Sequence, residues 1–228
     1  MSDELDLQQL GQIPDPFAVP GDAPSPPRPA PTGAGPSRPQ LRRRRTIAAS
    51  AALAYEVLWV VLVEHRRDLG SLPAWTIALG LVVPLAAAVL ALGVVTGKGR
   101  RGLGAPVVWL AALSVLPVVL FAVATVATSP ADTETARFWD LAGRCIGITA
   151  LLTAGPLALG GWVFQHAFAA ASVWRTAALG VGCGALAAAT MSLACWHAGA
   201  LHVVVGHGAM IVVGGAAGAL LGRRLTRA

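Results

Sequence analysis

Six long apolar stretches follow a polar N-terminal segment in this chain of 228 residues. Each stretch is close to the ~20 residues that a helix needs to cross the hydrocarbon core of a bilayer. The stretches are continuous and lack the alternation of apolar and polar residues that is typical of the strands of a membrane β-barrel. The pattern predicts six transmembrane helices at residues 46–63, 72–96, 105–128, 146–164, 176–194 and 203–221.

The composition supports the same class, because 55% of the residues are hydrophobic and only 12% are charged. So few polar side chains would not cover the surface of a soluble domain of this size. We therefore expect an all-α, polytopic membrane protein with three parts. These are a cytoplasmic head at residues 1–45, a six-helix membrane domain at 46–222 and a basic cytoplasmic tail at 223–228.

The orientation follows from the basic residues that flank the predicted spans, since cytoplasmic loops carry an excess of lysine and arginine. One side of the membrane has Arg42 to Arg45, Lys98, Arg100, Arg101, Arg175, Arg223, Arg224 and Arg227. The other side has only Arg66, Arg67, Arg137 and Arg144, and acidic residues near them partly balance their charge. Both termini are thus predicted to be cytoplasmic.

The net charge of +6 raises the question of a nucleic-acid partner. Most of this charge comes from the arginines beside the spans, where it anchors helix ends and attracts anionic lipid headgroups. We expect membrane lipids, and no nucleic acid, to be the partners of these arginines.

The head divides into two segments of different composition. Residues 20–41 are rich in proline, glycine, alanine and serine, which predicts a semi-rigid disordered spacer ahead of the arginines at 42–45. Residues 1–19, the tip, combine acidic and apolar side chains and predict a partner-binding element that folds on its partner. An unstructured terminus without a ligand is the alternative. The candidate binding residues are Leu5, Leu7, Leu10, Ile13 and Phe17.

One carboxylate interrupts the first span, at Glu56. A charged group at the centre of a membrane helix costs a few kcal/mol, so Glu56 should be protonated or face the interior of the bundle. A hydrogen bond to a neighbouring helix is the favoured interpretation, and proton or cation transport is the alternative.

Small residues recur every fourth position in the last two spans, at Gly180 and Gly184 and again at Gly214, Gly218 and Gly222. Such spacing lets two helix backbones approach each other closely. We expect the fifth helix to pack on the sixth, with dimerisation through the same surface as the alternative.

Two cysteines fall at the same side of the membrane, because Cys145 precedes the fourth predicted span and Cys195 follows the fifth. In an oxidising compartment they could form a disulfide, and they could equally be reduced thiols that react with an oxidant or a metal. Cys183 lies twelve residues before Cys195 on the same helix. It is about 18 Å deeper in the membrane at ~1.5 Å per residue, and we expect a buried, inert thiol.

Three histidines follow Cys195 closely, at His197, His202 and His207. Thiols and imidazoles are ligands for zinc and copper, so a transition-metal site is one hypothesis and a structural role for the histidines is another. The spacing matches no standard zinc motif, and no resident cofactor is predicted. The sequence also lacks a Cys-x-x-Cys pair and a nucleotide-binding loop, so nothing in it indicates an enzyme.

The layout from Arg42 to Arg227 resembles the six-helix membrane anti-sigma factors called negative regulators of sigma F. The resemblance is carried by Arg67-Asp68-Leu69 with Trp75 in the first outer loop, and by Cys145 at the start of the fourth helix. Cys195 with its nearby histidine and the terminal Gly222-Arg223-Arg224-Leu225 complete it.

This resemblance implies a protein of the bacterial inner membrane that holds an extracytoplasmic-function sigma factor with its cytoplasmic head. It also implies release of the sigma factor when an oxidant or heavy metal acts on Cys145 and Cys195. A small transporter or metal-handling protein that uses Glu56 and the outer histidines is the alternative, and a heme or quinone protein that uses the histidines is a further one.

Overall fold

A computed structural model of the chain describes residues 38–62, 73–96, 106–129, 137–164 and 172–225, together with Arg66 and Gly70. All of them belong to one unit, Pro36–Ala228. Helices account for nearly all of these residues, and no strand occurs among them. The all-α fold class is therefore confirmed.

Six helices form the bundle in chain order. The first five are α1 (Arg38–Leu62), α2 (Ala74–Thr96), α3 (Val107–Thr128), α4 (Phe138–Phe164) and α5 (Ser172–Ala194). The sixth, α6, consists of a short start at Ala200–His202, a π-helical turn at Val203–His207 and the α-helix Ala209–Leu225. Each of the six is long and apolar enough to cross a membrane. A helix of 22 residues, such as α3, is about 33 Å long at 1.5 Å per residue, which matches the ~30 Å hydrocarbon core.

Four helices begin before their predicted starts, the fifth and sixth by a turn or less and the first and fourth by about two turns. The first begins at Arg38 instead of residue 46, so the arginines at 42–45 are part of α1, and Arg44 lies over the ring of Trp162 on α4 at 5.4 Å. The fourth begins at Phe138 instead of residue 146, which places Cys145 two turns inside α4. Hydropathy alone misses these extensions because polar residues at membrane boundaries continue the helix without continuing the apolar run.

The centre of the bundle is α5. In the apolar, membrane-length part of α5, 83% of the residues are buried, against 11% in the corresponding part of α1. All three apolar clusters of the core contain α5 side chains, represented by Leu179, Val181 and Met191. The other helices surround α5 and expose large apolar side chains on their outer faces, as expected for surfaces that contact lipid.

Glycines bring the backbones of α5 and α6 into direct contact. A Cβ atom on Gly180 would overlap the carbonyl of Gly214, and one on Gly218 would overlap the carbonyl of Thr176. One on Gly184 would likewise overlap the Met210 carbonyl. The predicted packing of the fifth helix on the sixth is thereby confirmed.

Tryptophan side chains lie near the ends of the helices, where the two surfaces of a bilayer would be. Trp75, Trp139 and Trp196 belong to the end of the bundle that carries Cys195, and Trp109, Trp162 and Trp174 to the opposite end. All six are exposed. Aromatic belts of this kind are typical of membrane–water interfaces.

We expect Gly180→Ala to destabilise the bundle, because the new methyl group meets a backbone carbonyl that no rotamer change can move. Overpacking of this kind costs about 1–3 kcal/mol. The apparent melting temperature of the detergent-purified protein should fall accordingly.

Gly147→Ala is the matched control, since Gly147 is also in a helix and nothing lies within 4 Å of the Cβ position. Alanine is a better helix former by about 1 kcal/mol, so this variant should be unchanged or slightly more stable. Equal melting temperatures for the two variants would contradict the close contact.

Candidate functional site

A cluster of two thiols and two imidazoles forms where α4, α5 and α6 meet at one end of the bundle. Cys145 is on α4, Cys195 directly follows α5, and His202 and His207 are on α6. All four side chains are buried. One candidate ligand atom from each residue can be chosen so that all four atoms lie within 4.8 Å of one another. We call this group the thiol–imidazole cluster.

The π-helical turn of α6 brings the two imidazoles to the same side. In an α-helix residues five apart point about 140° away from each other, because each residue turns by about 100°. A π turn bonds residue i to residue i+5, and the Gly208 amide donates to the Val203 carbonyl in this way at 3.1 Å. The ring centroids of His202 and His207 are consequently only 5.5 Å apart.

Gly206 and Thr149 hold α6 against α4 beside the thiols. A Cβ atom on Gly206 would be 3.2 Å from the Cβ of Cys145, so any larger residue would crowd the cluster. The Thr149 hydroxyl lies 2.7 Å from the Cys145 carbonyl and 3.2 Å from the Gly206 carbonyl, and donates to this shared pair of acceptors. This contact satisfies backbone groups of both helices next to the cluster.

The two sulfur atoms are in direct contact without being bonded. The Sγ atoms of Cys145 and Cys195 are 3.7 Å apart, and the Cys195 sulfur is 3.5 Å from Nε2 of His202. The three cysteines of the chain are all free thiols in this structure. The two thiols, which the sequence left free to meet, are thus in contact in the structure.

The electrostatics of the cluster single out Cys195. The contact with the Cys145 thiol is the main reason that the pKa of the Cys195 thiol lies well below its usual range. Burial acts in the opposite direction, and the imidazoles of His202 and His207 assist the lowering. A lowered pKa favours the thiolate, which is the form that attacks oxidants and binds metals.

His207 is buried without a hydrogen-bond partner. Its side chain is 1% exposed, and neither of its ring nitrogens has a partner in the structure. A buried polar group of this kind is unusual, because leaving one unsatisfied costs about 1–3 kcal/mol.

His197, the third histidine of the sequence motif, is not one of the four clustered residues. Its ring packs against Trp196 with centroids 3.9 Å apart, and its centroid is 5.1 Å from that of His202. Cys183 is also separate, since it lies buried in the apolar core of α5 next to Leu179. It has the position that we predicted for an inert thiol.

Glu56 is buried and makes the interhelical hydrogen bond that we favoured for it. The Thr190 hydroxyl of α5 donates to Oε2 of Glu56 at 2.6 Å, and Glu56 is 3% exposed. The neighbouring Tyr55 hydroxyl donates to the carbonyl of Leu151 on α4 at 3.1 Å. Two successive residues of α1 are thus bonded to α4, which carries Cys145, and to α5, which Cys195 directly follows.

Several residues that build the site were not identified from the sequence. Thr149, Thr190 and Gly206 are ordinary residues of apolar helices, and only their neighbours in space give them a role. The spacing of five between His202 and His207 was an available signal, because it places both rings on one side only in a π turn.

Some predicted site residues lie outside the part of the chain that the structure describes. These are the tip residues Leu5, Leu7, Leu10, Ile13 and Phe17, and the loop motif Arg67-Asp68-Leu69.

The fold and the cluster define a class: a six-helix membrane protein with a buried thiol–imidazole cluster at one end of its bundle. A comparison with protein families identifies the group within that class. The family described as negative regulator of sigma F matches residues 31–227, and the chain belongs to it. No curated protein and no solved structure gave a significant match. The family description indicates a negative regulator with a sigma factor as its partner.

We expect mild oxidation to join Cys145 to Cys195. The two sulfur atoms are 3.7 Å apart and need to approach only to the ~2.05 Å of a disulfide, losing two protons and two electrons to the oxidant. Diamide, which is reduced to its hydrazine, should produce this link in the detergent-purified protein. Mass spectrometry of unreduced peptides measures it.

The Cys183→Ser variant should form the same link, because Cys183 is not part of the cluster. A dominant link that includes Cys183 would show that the arrangement of the three thiols described above is wrong.

Proposed function

We propose that this protein is an anti-sigma factor of the bacterial inner membrane that holds an extracytoplasmic-function sigma factor and releases it when the thiol–imidazole cluster reacts. Family membership is the observation that carries the proposal, since the matched family is described as a negative regulator of sigma F. The cluster supports the proposed release step, because it brings two thiols and two imidazoles together at one buried position.

The proposed orientation places both termini in the cytoplasm and the cluster at the outer end. The arginines at 42–45 and Arg223 and Arg224 then lie on the cytoplasmic side, in agreement with the distribution of positive charge. A sigma factor is a cytoplasmic partner, so the N-terminal head is on the correct side to bind it. An oxidant or heavy-metal ion that arrives from outside would reach the cluster first.

The tip, residues 1–19, is the proposed sigma-binding element. Its support is the alternation of acidic and apolar residues, with Leu5, Leu7, Leu10, Ile13 and Phe17 as the candidate contacts. The family match begins at residue 31, so the tip is not covered by it. The tip therefore needs a test of its own, separate from that of the regulatory function.

A continuous set of contacts connects the cluster to the helix that follows the head. Thr190 is on α5, five residues before Cys195, and donates to Glu56 on α1. Tyr55 on α1 contacts α4, which carries Cys145. A rearrangement of α4 and α5 around a modified cluster would change both contacts, and the equilibrium between two bundle arrangements is what a signal has to shift.

We expect deletion of residues 2–19 to abolish retention of the sigma factor, because the deletion removes all five candidate contacts. Deletion of residues 20–30 is the matched control, since it shortens the spacer and leaves both the tip and the family-matched region intact. The measurement is co-purification of the host's sigma factors with the full-length membrane protein, identified by mass spectrometry.

Loss of the sigma factor in both deletions would remove the tip as a specific binding element. If the undeleted protein retains no sigma factor, the regulatory proposal itself fails. The transporter alternative predicts that substrate movement continues without residues 2–19, since the bundle that contains Glu56 and the outer histidines is unchanged.

We expect Cys145→Ser and Cys195→Ser to remove the induction of sigma-dependent transcription by oxidant or heavy metal. Each substitution leaves a hydroxyl that can neither form the disulfide nor supply a thiolate. Cys183→Ser, the control at the third cysteine, should respond as the unmodified protein does. A transcriptional reporter measures all three, and a normal response in both cluster variants would disprove sensing at these thiols.

A further inference from the structure

We propose that Cys145, Cys195, His202 and His207 form a four-coordinate site for a thiophilic divalent cation of the zinc and cadmium class. The ligands would be the two sulfur atoms, Nε2 of His202 and one ring nitrogen of His207. The role of this ion as a signal rests on the proposed function, whereas its binding does not.

The observed distances match the edges of a metal-ligand tetrahedron. With Zn–S bonds of ~2.3 Å and Zn–N bonds of ~2.0–2.1 Å, a regular tetrahedron has a sulfur–sulfur edge of about 3.8 Å and a sulfur–nitrogen edge of about 3.6 Å. The structure has 3.7 Å between the sulfur atoms of Cys145 and Cys195 and 3.5 Å from Cys195 to His202. The four ligand atoms all lie within 4.8 Å of one another, so closing the remaining edges of the tetrahedron requires an approach of about 1 Å.

His207 gives an independent reason to expect a ligand. Its side chain is only 1% exposed, and both of its ring nitrogens are buried and lack hydrogen-bond partners. The π turn that holds it beside His202 is a rare backbone conformation that is frequent at functional sites. A metal bond to one nitrogen would explain why the chain keeps a buried imidazole in this position.

The donor set selects the kind of cation. Two thiolates and two imidazoles suit zinc and softer ions of the same geometry, and disfavour magnesium and calcium, which bind oxygen ligands. Two thiolates also neutralise a divalent charge, so the complex can be buried without a net charge. Four protein ligands complete a tetrahedron, which is the arrangement of structural and sensing sites and leaves no position for a catalytic water.

Space for an incoming ion exists beside the ligands. His207 lines a cavity of about 50 Å³ together with Thr76, Thr125 and Ser192, which lie near the ends of α2, α3 and α5. These helix ends are on the same side of the bundle as Cys195. A cavity of this size holds roughly three water molecules at 10–15 Å³ each, so a cation can arrive with part of its hydration shell.

Cobalt(II) is the probe for the first test, because tetrahedral cobalt with thiolate ligands has intense visible absorption. The reduced full-length protein in detergent should bind one equivalent and show this spectrum, and one equivalent of zinc or cadmium should remove it by displacement. His202→Ala and His207→Ala should each weaken the affinity by roughly 10- to 100-fold or more, the range seen when even outer contacts of metal sites are removed.

His197→Ala and Cys183→Ser are the matched controls, since they alter an imidazole and a thiol that lie near the cluster in sequence but outside it in space. Both should bind cobalt as the unmodified protein does. If the His202→Ala and His207→Ala variants bind cobalt as tightly as the unmodified protein does, the proposed site is wrong. The absence of tetrahedral cobalt absorption in the unmodified protein would also overturn it.

A second measurement does not depend on the folding of any variant. Zinc should slow the alkylation of Cys145 and Cys195 in the unmodified protein, as counted by peptide mass spectrometry, and chelation should restore the rate. No protection at either thiol would overturn the proposal. These experiments need no sigma factor, so failure to bind metal and failure to retain a sigma factor are separate results.

Discussion

The contact between the backbones of α5 and α6 is the constraint on which the rest of the bundle depends. Gly180, Gly184, Gly214 and Gly218 leave no side chain between the two helices, so their separation and register are fixed by main-chain atoms. Because α6 follows α5 after only five residues, this register also fixes where the start of α6 lies relative to Cys195. The thiol–imidazole cluster is therefore a consequence of how two apolar helices pack, and small residues remote from the cluster determine its geometry.

The number of spans and the end of the bundle that the two thiols share could be predicted from the sequence, because both depend on helix length and apolar pattern alone. The rise of ~1.5 Å per helical residue also predicted that Cys183 lies well away from Cys195. The membership of the cluster could not be predicted in full, since His197 is only two residues from Cys195 along the chain and His207 is twelve, yet His207 is the one that belongs to the cluster. The π turn and the packing of Gly206 against α4 decide between them, and neither follows from hydropathy.

Polar groups in the interior of the bundle occur where helices need a specific partner. Glu56 with Thr190 and Thr149 with the Gly206 carbonyl each join two helices by a hydrogen bond in an otherwise apolar environment. In lipid the surrounding tails are as apolar as leucine, so burial of apolar surface distinguishes poorly between alternative helix arrangements. Hydrogen bonds and close backbone contacts select one helix arrangement over another. In this chain both of the hydrogen bonds named above involve α4 or α5, the helices next to the thiols.

The length of α1 has a mechanical consequence. The helix runs without interruption from Arg38 to Leu62, about 38 Å at 1.5 Å per residue, and thus exceeds the ~30 Å core of a bilayer. Glu56 is inside the bundle, six residues before the end of this helix, and the arginines at 42–45 are near its start. Because α1 is continuous between these positions, a rotation of the helix at Glu56 would also move the arginines at 42–45. A change in the hydrogen bond between Thr190 and Glu56 would then reorient the start of α1, which is the end of the helix next to the head.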